Sequence, residues 1–165
     1  LIVTQQTFQI NIDQMLKGIS LITYPYQRQF SEAKTLDYLK AIWLQPLIRE
    51  QNADDVLYYQ NGLIAECPRA NFFIVTSDDH ILTPSRNILK GISRKHVLKV
   101  SEKLFPTEER DISIEDIKQA KEAFITSTTK NILPVVQIDG NIVGNGKPGR
   151  ITQLLAKEYK KIIYG

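Results

Sequence analysis

The chain has 165 residues, of which 42% are hydrophobic and 24% charged, and its formal net charge is +3. These proportions are typical of a globular domain with a substantial core, and the scattered basic residues argue against a nucleic-acid-binding patch. The single cysteine, Cys67, excludes an internal disulfide and a cysteine-built metal site and suits a reducing cytoplasm. No stretch approaches a membrane span. Together with the cysteine content and the scattered basic residues, this leads us to expect a cytoplasmic protein with no metal, nucleic-acid or membrane partner.

The first third of the sequence predicts two helices and a strand. A helix fits 13–17 and a strand fits 19–24, because a glycine ends the first run and a proline the second. From 35 to about 50, apolar residues recur close to a helical period, which predicts a longer helix. Pro46 should kink or shorten that helix. The apolar residues concerned are Leu36, Leu39, Ile42, Trp43 and Leu47.

Turn residues along the rest of the chain predict hairpins. Asn61-Gly62 and Asp139-Gly140 are dipeptides that favour two-residue hairpin turns. The predicted hairpins join 56–59 to 63–65, 72–76 to 81–82, and 135–138 to 141–143. The remaining predicted elements are helices at 94–104, 113–121 and 150–163 and a strand at 123–126. This mixture predicts an α+β (mixed α/β) fold class.

Polar residues at the ends of these elements are candidates for a binding site. Glu66 ends an apolar strand, where a buried carboxylate needs a compensating partner, and Lys34 lies just before the predicted helix at 35–50. Helix N-termini and strand-end hydroxyls suit phosphate, and they occur here at 91–93 and 127–128. A pocket lysine can form a Schiff base with an aldehyde, and a buried carboxylate can pair with a protonated ring nitrogen. Together these residues permit, without requiring, a site for pyridoxal 5′-phosphate.

Each of these residues also has an ordinary structural explanation. Lysine and glutamate at such positions are most often solvated. Ser93 is a common type of helix N-cap, and the hydroxyl residues at 127–129 are typical of a turn. The residues alone therefore leave open whether they form a site.

Four sequence blocks, in matching order and spacing, carry a resemblance to a known family. The blocks are "AKTLDYLKA" around Lys34, "YYQNGLIAECPRANFFIV" around Glu66, "LTPSRNILKGISR" and "AFITSTTKNILPV". In these blocks the chain resembles the class IV aminotransferases, which are fold-type IV pyridoxal-phosphate enzymes. They include branched-chain aminotransferase, D-amino acid aminotransferase and aminodeoxychorismate lyase. The resemblance implies a D-amino acid aminotransferase-like fold, whose large C-terminal domain is a strand pseudo-barrel flanked by helices.

The resemblance also implies how the chain is divided. Residues 1–8 would be the last strand of a missing N-terminal domain, 9–18 an interdomain linker, and 19–165 the cofactor-binding C-terminal domain. The apolar opening at 1–4 looks like the cut end of a longer protein. Since family dimers build the active site across their interface, the resemblance implies a homodimer.

Individual residues acquire roles from the same resemblance. Lys34 would hold the cofactor as a Schiff base and move the proton between the substrate Cα and the cofactor. Glu66 would bond the pyridine nitrogen and keep it protonated, while Leu89 would pack on the ring. Thr129 would face the substrate carboxylate. The phosphate ligands would be Ile92, Ser93, Ser127 and Thr128.

The link "CPRA" after Glu66 departs from the family pattern, which has small glycine and serine residues there. It places Arg69 near the expected pocket mouth. Arginine at a surface commonly points to solvent or to a partner subunit. The alternative hypothesis is that Arg69 binds a second acidic group of the substrate.

Three functions remain open from the sequence. The resemblance favours an aminotransferase that moves an amino group between a branched-chain or D-amino acid and a 2-oxo acid. The alternative is 4-amino-4-deoxychorismate lyase, which would use the same Lys34 and Glu66 and which the Glu66-Cys67 pair favours. A non-catalytic binding protein is less favoured, because Lys34 and Glu66 are both present.

Overall fold

The computed structural model describes residues 12–165, apart from the side chain of Tyr164. The helices are α1 (Ile12–Lys17), α2 (Leu39–Trp43), α3 (Gln45–Glu50), α4 (Ile92–Ser101), α5 (Ile114–Gln119) and α6 (Arg150–Tyr164). The strands are β1 (Ile19–Pro25), β2 (Asp55–Gln60), β3 (Leu63–Ile64), β4 (Glu66–Cys67), β5 (Ala70–Val75), β6 (Ile81–Thr83), β7 (Thr107–Glu109), β8 (Glu122–Ser127), β9 (Asn131–Ile138) and β10 (Asn141–Ile142). The strand expected at 1–8 lies outside the described residues, and none of the described helices is long and apolar enough to cross a bilayer.

The strands form one curled sheet. Its order is β3-β2-β1-β9-β8-β5-β6-β7, with β10 paired to β9 and β4 paired to β5. The short segment 63–67 pairs with β2 through its first half and with β5 through its second half. It therefore joins two sides of the sheet and partly closes a barrel, which confirms the mixed α/β class and the strand pseudo-barrel. Glu66 lies in this closing segment.

Both faces of the sheet are buried, as the side chains of β5, which point alternately to the two faces, show. Phe72 and Ile74 belong to the inner apolar cluster, together with Ile117 of α5. Phe73 and Val75 point the other way and pack with residues of α4 and α6. Because successive strand residues face opposite sides, a strand covered on both sides is apolar throughout. Each large side chain buried in this way contributes roughly 1.5–3 kcal/mol, so the sheet is a firm frame for the polar residues at its ends.

Both glycine-containing hairpin turns are confirmed. Asn61 and Gly62 have φ of 52° and 75°, and Asp139 and Gly140 have φ of 50° and 76°. Positive φ at both central residues defines the type I′ turn, which matches the twist of the strands it joins. The flanking strands pair as expected, β2 with β3 and β9 with β10.

The predicted helix at 35–50 is partly wrong. It begins only at Leu39 and breaks at Leu44 into α2 and α3. Pro46 lies in the first turn of α3, where it has no N–H to continue the hydrogen bonds of α2, so its expected shortening effect is confirmed. The buried residues of this stretch are Leu44 and Ile48. Most of the periodic apolar residues are exposed instead: Leu36 (95%), Leu39 (74%), Ile42 (63%) and Trp43 (62%).

One further prediction is corrected, and one short strand was missed. The fourth helix begins at Ile92 and not at 94, because Gly91 is the N-cap residue and Ser93 lies within the first turn. A Cβ at position 91 would lie 2.5 Å from Asn71 Oδ1, so only glycine allows this close approach. Strand β7 was not predicted, since its sequence Thr-Glu-Glu lacks apolar alternation.

A buried carboxylate caps α6. Glu122 is 8% exposed and accepts hydrogen bonds from Ile151 N at 3.0 Å, Thr152 N at 2.7 Å and Thr152 Oγ1 at 2.8 Å. We expect Glu122→Ala to lower the free energy of unfolding by about 1–3 kcal/mol, because two helix amides lose their acceptor. Urea denaturation would measure the change. Thr152→Val is the matched control and should cost less, as it removes one bond of the three; an equally stable Glu122→Ala would contradict the assignment.

Candidate active site

One cavity of about 290 Å³ brings together eight of the nine predicted site residues. It lies between the loop 26–38, the closing segment 63–67, the start of α4 and the end of β8. Among its lining residues are Lys34, Glu66, Arg69, Leu89, Ile92, Ser93, Ser127 and Thr128. Thr129 is not among them, although its hydroxyl lies 3.5 Å from Ser127 Oγ. Lys34 is exposed and lies in the loop, five residues before α2 begins.

Strand register explains why this cavity is polar at its floor. Residues directly opposite each other on antiparallel strands share a face. Asn71 of β5 is opposite both Glu66 and Thr126, so the three side chains share the face that packs against α4. The next pair on that face is Phe73 and Phe124, whose rings stack at 4.8 Å. An apolar face thus ends in a short polar row where the cavity begins.

Glu66 is buried, at 4% exposure, and is held by four donors. Its Oε1 accepts from Arg28 Nε at 3.0 Å and Arg28 Nη2 at 2.8 Å. Its Oε2 accepts from Leu89 N at 3.0 Å and from Asn71 Nδ2 at 3.4 Å. Burial raises the pKa of Glu66 above its ordinary value, and the Leu89 amide and the Arg28 guanidinium oppose that rise. The carboxylate therefore already has one cationic partner.

The two oxygens of Glu66 differ in how fully they are occupied. A contact of 3.4 Å is long for a hydrogen bond, and Asn71 Nδ2 has a much shorter bond, 2.6 Å, to Leu89 O. Oε2 can therefore exchange its weak contact for a stronger donor without disturbing Arg28. This oxygen has the acceptor capacity that a ring N–H would need.

Arg28 is a residue of the cavity that the sequence did not point to. It lines the cavity, and its Nη2 also donates to Ser31 O at 2.7 Å. It thus ties Glu66 to the loop that carries Lys34. Nothing local marks Arg28, since its partner is 38 residues away. The one available signal was the requirement that a buried carboxylate find a cation.

The start of α4 offers unpaired backbone donors to the cavity. Its N-cap residue Gly91 supplies no side-chain hydrogen bond, and the first amides of a helix have no acceptor within the helix. Ile92 and Ser93 are the first two residues of the helix, and both line the cavity. Free amides and the helix dipole together favour an anion at this point.

Arg69 lies at the mouth of the cavity. It is exposed yet lines the cavity, and its guanidinium carbon lies 4.7 Å from the centre of the Tyr38 ring. This cation–π contact holds the side chain along the wall. An anionic group entering the cavity would pass beside it.

Comparisons with known proteins agree with this geometry. The family model "Amino-transferase class IV" matches residues 1–138. Branched-chain-amino-acid aminotransferase-like protein 2 of Arabidopsis thaliana is 38% identical over 117 residues, which are 69% of this chain and 21% of that protein. D-alanine aminotransferase of Bacillus licheniformis is 31% identical over 156 residues, which are 92% of this chain and 55% of that protein.

A solved structure shows the same fold. The branched-chain aminotransferase of the thermophilic archaeon Thermoproteus uzoniensis, determined with norvaline, superposes with a TM-score of 0.83 at 28% identity, over 94% of this chain and 54% of that one. The chain thus spans about half the length of this enzyme and of the D-alanine aminotransferase. With a family match over residues 1–138 and a fold shared with fold-type IV enzymes, the chain belongs to the class IV aminotransferases.

Proposed function

We propose that this chain is the cofactor-binding part of a pyridoxal-phosphate-dependent aminotransferase, which moves an amino group between an amino acid and a 2-oxo acid. The observation that carries the proposal is that Lys34, the buried Glu66 and the N-terminus of α4, with its unpaired amides, line one cavity. Relatives named as branched-chain and D-alanine aminotransferases support it. In this proposal residues 19–165 form the cofactor domain, 9–18 a linker and 1–8 a strand of another domain.

The residues present fit this cofactor at each of its ends. The amides of Ile92 and Ser93, with Ser127 and Thr128, would bind the phosphate. Oε2 of Glu66 would accept the ring N–H, and Leu89 would pack on the ring. When bound, pyridoxal phosphate supplies an aldehyde that condenses with amines and a ring that takes up the electrons released at the substrate Cα.

Three residues of the chain would then have separate roles in the reaction. Lys34 Nζ would attach to the cofactor and afterwards carry the proton away from and back to the substrate Cα. Glu66 would keep a proton on the ring nitrogen, because a carboxylate in a dry site stabilises a neighbouring cation strongly. Arg28 would hold Glu66 and the Lys34 loop in place.

The lyase alternative loses the residue that favoured it. Cys67 is 1% exposed and belongs to the inner apolar cluster, and it is not among the residues that line the cavity. Its presence after Glu66 therefore says nothing about the reaction. A test of products still separates the two reactions, since the lyase would release pyruvate from aminodeoxychorismate without transferring an amino group.

The experiment that tests the proposal uses the intact parent protein loaded with pyridoxal phosphate. Borohydride reduction and peptide mass mapping should place the cofactor on Lys34. Addition of D- and L-amino acids, one at a time, should convert the absorbance of the bound aldehyde to that of pyridoxamine phosphate for some donors. A cofactor attached elsewhere, or none at all, would overturn the proposal, and a bound cofactor that no amino acid converts would favour the lyase.

We further propose that the enzyme is a cytoplasmic homodimer. Several large apolar side chains of the stretch 30–43, which contains Lys34, are exposed in the described chain: Phe30 (80%), Leu36 (95%), Leu39 (74%), Ile42 (63%) and Trp43 (62%). Exposed large apolar side chains concentrated in one stretch often mark a surface that another domain or subunit covers. Light scattering of the intact protein should give twice the chain mass.

Arg69 is proposed to select substrates with a second acidic group. A hydrogen bond to a charged group contributes about 1.5–3 kcal/mol. Arg69→Ala should therefore lower kcat/KM for dicarboxylic amino acids by about 10–100-fold, compared with its effect on kcat/KM for the substrate alanine. Steady-state kinetics on both substrate classes would measure the ratio. Lys90→Ala removes an exposed cation from the same cavity and controls for the effect of charge alone. An unchanged ratio of kcat/KM values in Arg69→Ala would mean that Arg69 points to solvent or to a partner subunit.

A further inference from the structure

Thr126 presents an unusual buried hydroxyl to the cavity. It is 1% exposed and lines the cavity. Its Oγ1 has no hydrogen-bond partner among residues 12–165. Nearly all buried polar side-chain atoms in native proteins have a partner, because an unpaired one loses its hydration and gains nothing in return. The hydroxyl can therefore form its missing hydrogen bond with a molecule that the cavity binds.

The neighbours of Thr126 do not take this role in the structure. Asn71, directly across on β5, donates its Nδ2 to Leu89 O and Glu66, and its Oδ1 makes no hydrogen bond with Thr126. On the other side Thr126 faces Ile132 of β9, which is apolar. The preceding residue on the same face of its own strand, Phe124, is apolar as well and stacks on Phe73. The hydroxyl is left at the boundary between the apolar face and the cavity.

A second threonine in the same sheet shows what a satisfied hydroxyl looks like. Thr83 of β6 is 0% exposed, and its Oγ1 donates to Phe72 O at 2.8 Å. Thr83 does not line the cavity, whereas Thr126 does. The two residues share type, burial and sheet, and they differ in whether the protein itself supplies the acceptor.

We propose that Thr126 is a cofactor-binding residue whose hydroxyl donates to an oxygen of the cofactor's phosphate group. This inference rests on the proposed function for the identity of the ligand. Phosphate is favoured because Thr126 directly precedes Ser127 and Thr128 at the end of β8 and shares a cavity with the bare amides of α4. In the free protein the unpaired hydroxyl lowers stability, and the bound phosphate restores its partner.

The test compares Thr126→Val with wild type in the intact protein, with and without cofactor. Valine has nearly the same shape and lacks the hydroxyl, so the cofactor-free variant should unfold at a higher temperature than wild type. Its Kd for pyridoxal phosphate should rise about tenfold, as expected for a lost bond to a charged group. Its Kd for pyridoxal, which has no phosphate, should not change. Thr126→Ser keeps the hydroxyl and should bind like wild type.

Thr83→Val is the matched control. It should lower the unfolding temperature and leave the Kd for pyridoxal phosphate unchanged, because its hydroxyl is paired within the protein. A Thr126→Val variant that is less stable without cofactor, or that binds pyridoxal phosphate as tightly as wild type, would overturn the inference. Wild-type protein that binds no pyridoxal phosphate would instead overturn the proposed function itself. Binding to wild type is therefore measured before the variants.

Discussion

Replacing Arg28 with alanine is expected to lower the free energy of unfolding by about 3–5 kcal/mol. The side chains of Arg28 and Glu66 are only 11% and 6% exposed, so solvent screens the pair weakly. Removing Arg28 leaves the carboxylate buried with two neutral donors, the Leu89 amide and the Asn71 side chain. Chemical denaturation of the intact protein would measure the loss.

The loss should depend on pH in a definite direction. Burial raises the pKa of Glu66 above its ordinary value of 4.5, and Arg28 opposes the rise, so the pKa should be higher still in Arg28→Ala. A carboxyl whose pKa is raised by folding destabilises the protein as it ionises. The contribution of Glu66 to the stability of the variant should therefore be greatest below pH 4.5 and fall as the pH rises toward the raised pKa, more than in wild type.

The double variant Arg28→Ala with Glu66→Gln is the control for this prediction. It removes both charges, so it should recover much of the lost stability and show no extra pH dependence from position 66. Arg28→Lys keeps one charge but not the two-pronged contact, and it should fall between wild type and alanine. A single Arg28→Ala variant as stable as wild type at neutral pH would contradict the assigned pairing.

Lys34→Ala should abolish covalent attachment of the cofactor and reduce turnover by about 10²–10⁴-fold, the usual contribution of a positioned acid–base group. Lys34 is exposed in a loop, so its removal should change the free energy of unfolding by no more than about 0.5 kcal/mol. Borohydride trapping, mass spectrometry and steady-state kinetics would measure these effects.

Lys40→Ala provides a comparison in the same stretch of chain. Lys40 Nζ lies 4.4 Å from the centre of the Trp43 ring, and Lys40 does not line the cavity. This variant should therefore retain covalent attachment of the cofactor and turnover. A small primary amine added to Lys34→Ala should restore part of the proton transfer. Full turnover by Lys34→Ala without added amine would show that another group acts on the substrate Cα.

Local signals predicted the parts of the fold that short stretches determine. Asn61-Gly62 defined its hairpin because the turn needs positive φ at both residues. The stretch 35–50 was harder, since its apolar period indicates a helix but not which side is buried, and Leu44 and Ile48 are the residues that pack. Burial depends on neighbours from elsewhere in the chain, which a local pattern does not contain.

The candidate site divides in the same way. Lys34 and Glu66 were found because the family resemblance assigns each of them a role. Arg28 and Thr126 were not, because each matters through contacts made across strands or loops that are distant in sequence. A buried hydroxyl without an acceptor can be recognised only when all its neighbours are known.

The pairing of β1 with β9 has a consequence for how the protein folds. These strands are adjacent and parallel, and the backbone N–H of Thr23 in β1 donates to Asp139, 116 residues away. Contacts of such long range close late, because the loop entropy must be met before they form. Arg28 follows β1 and Ser127 precedes β9, so this pairing brings together two parts of the chain that line the cavity. We therefore expect cofactor capture during refolding to follow this pairing and not the formation of the early hairpins.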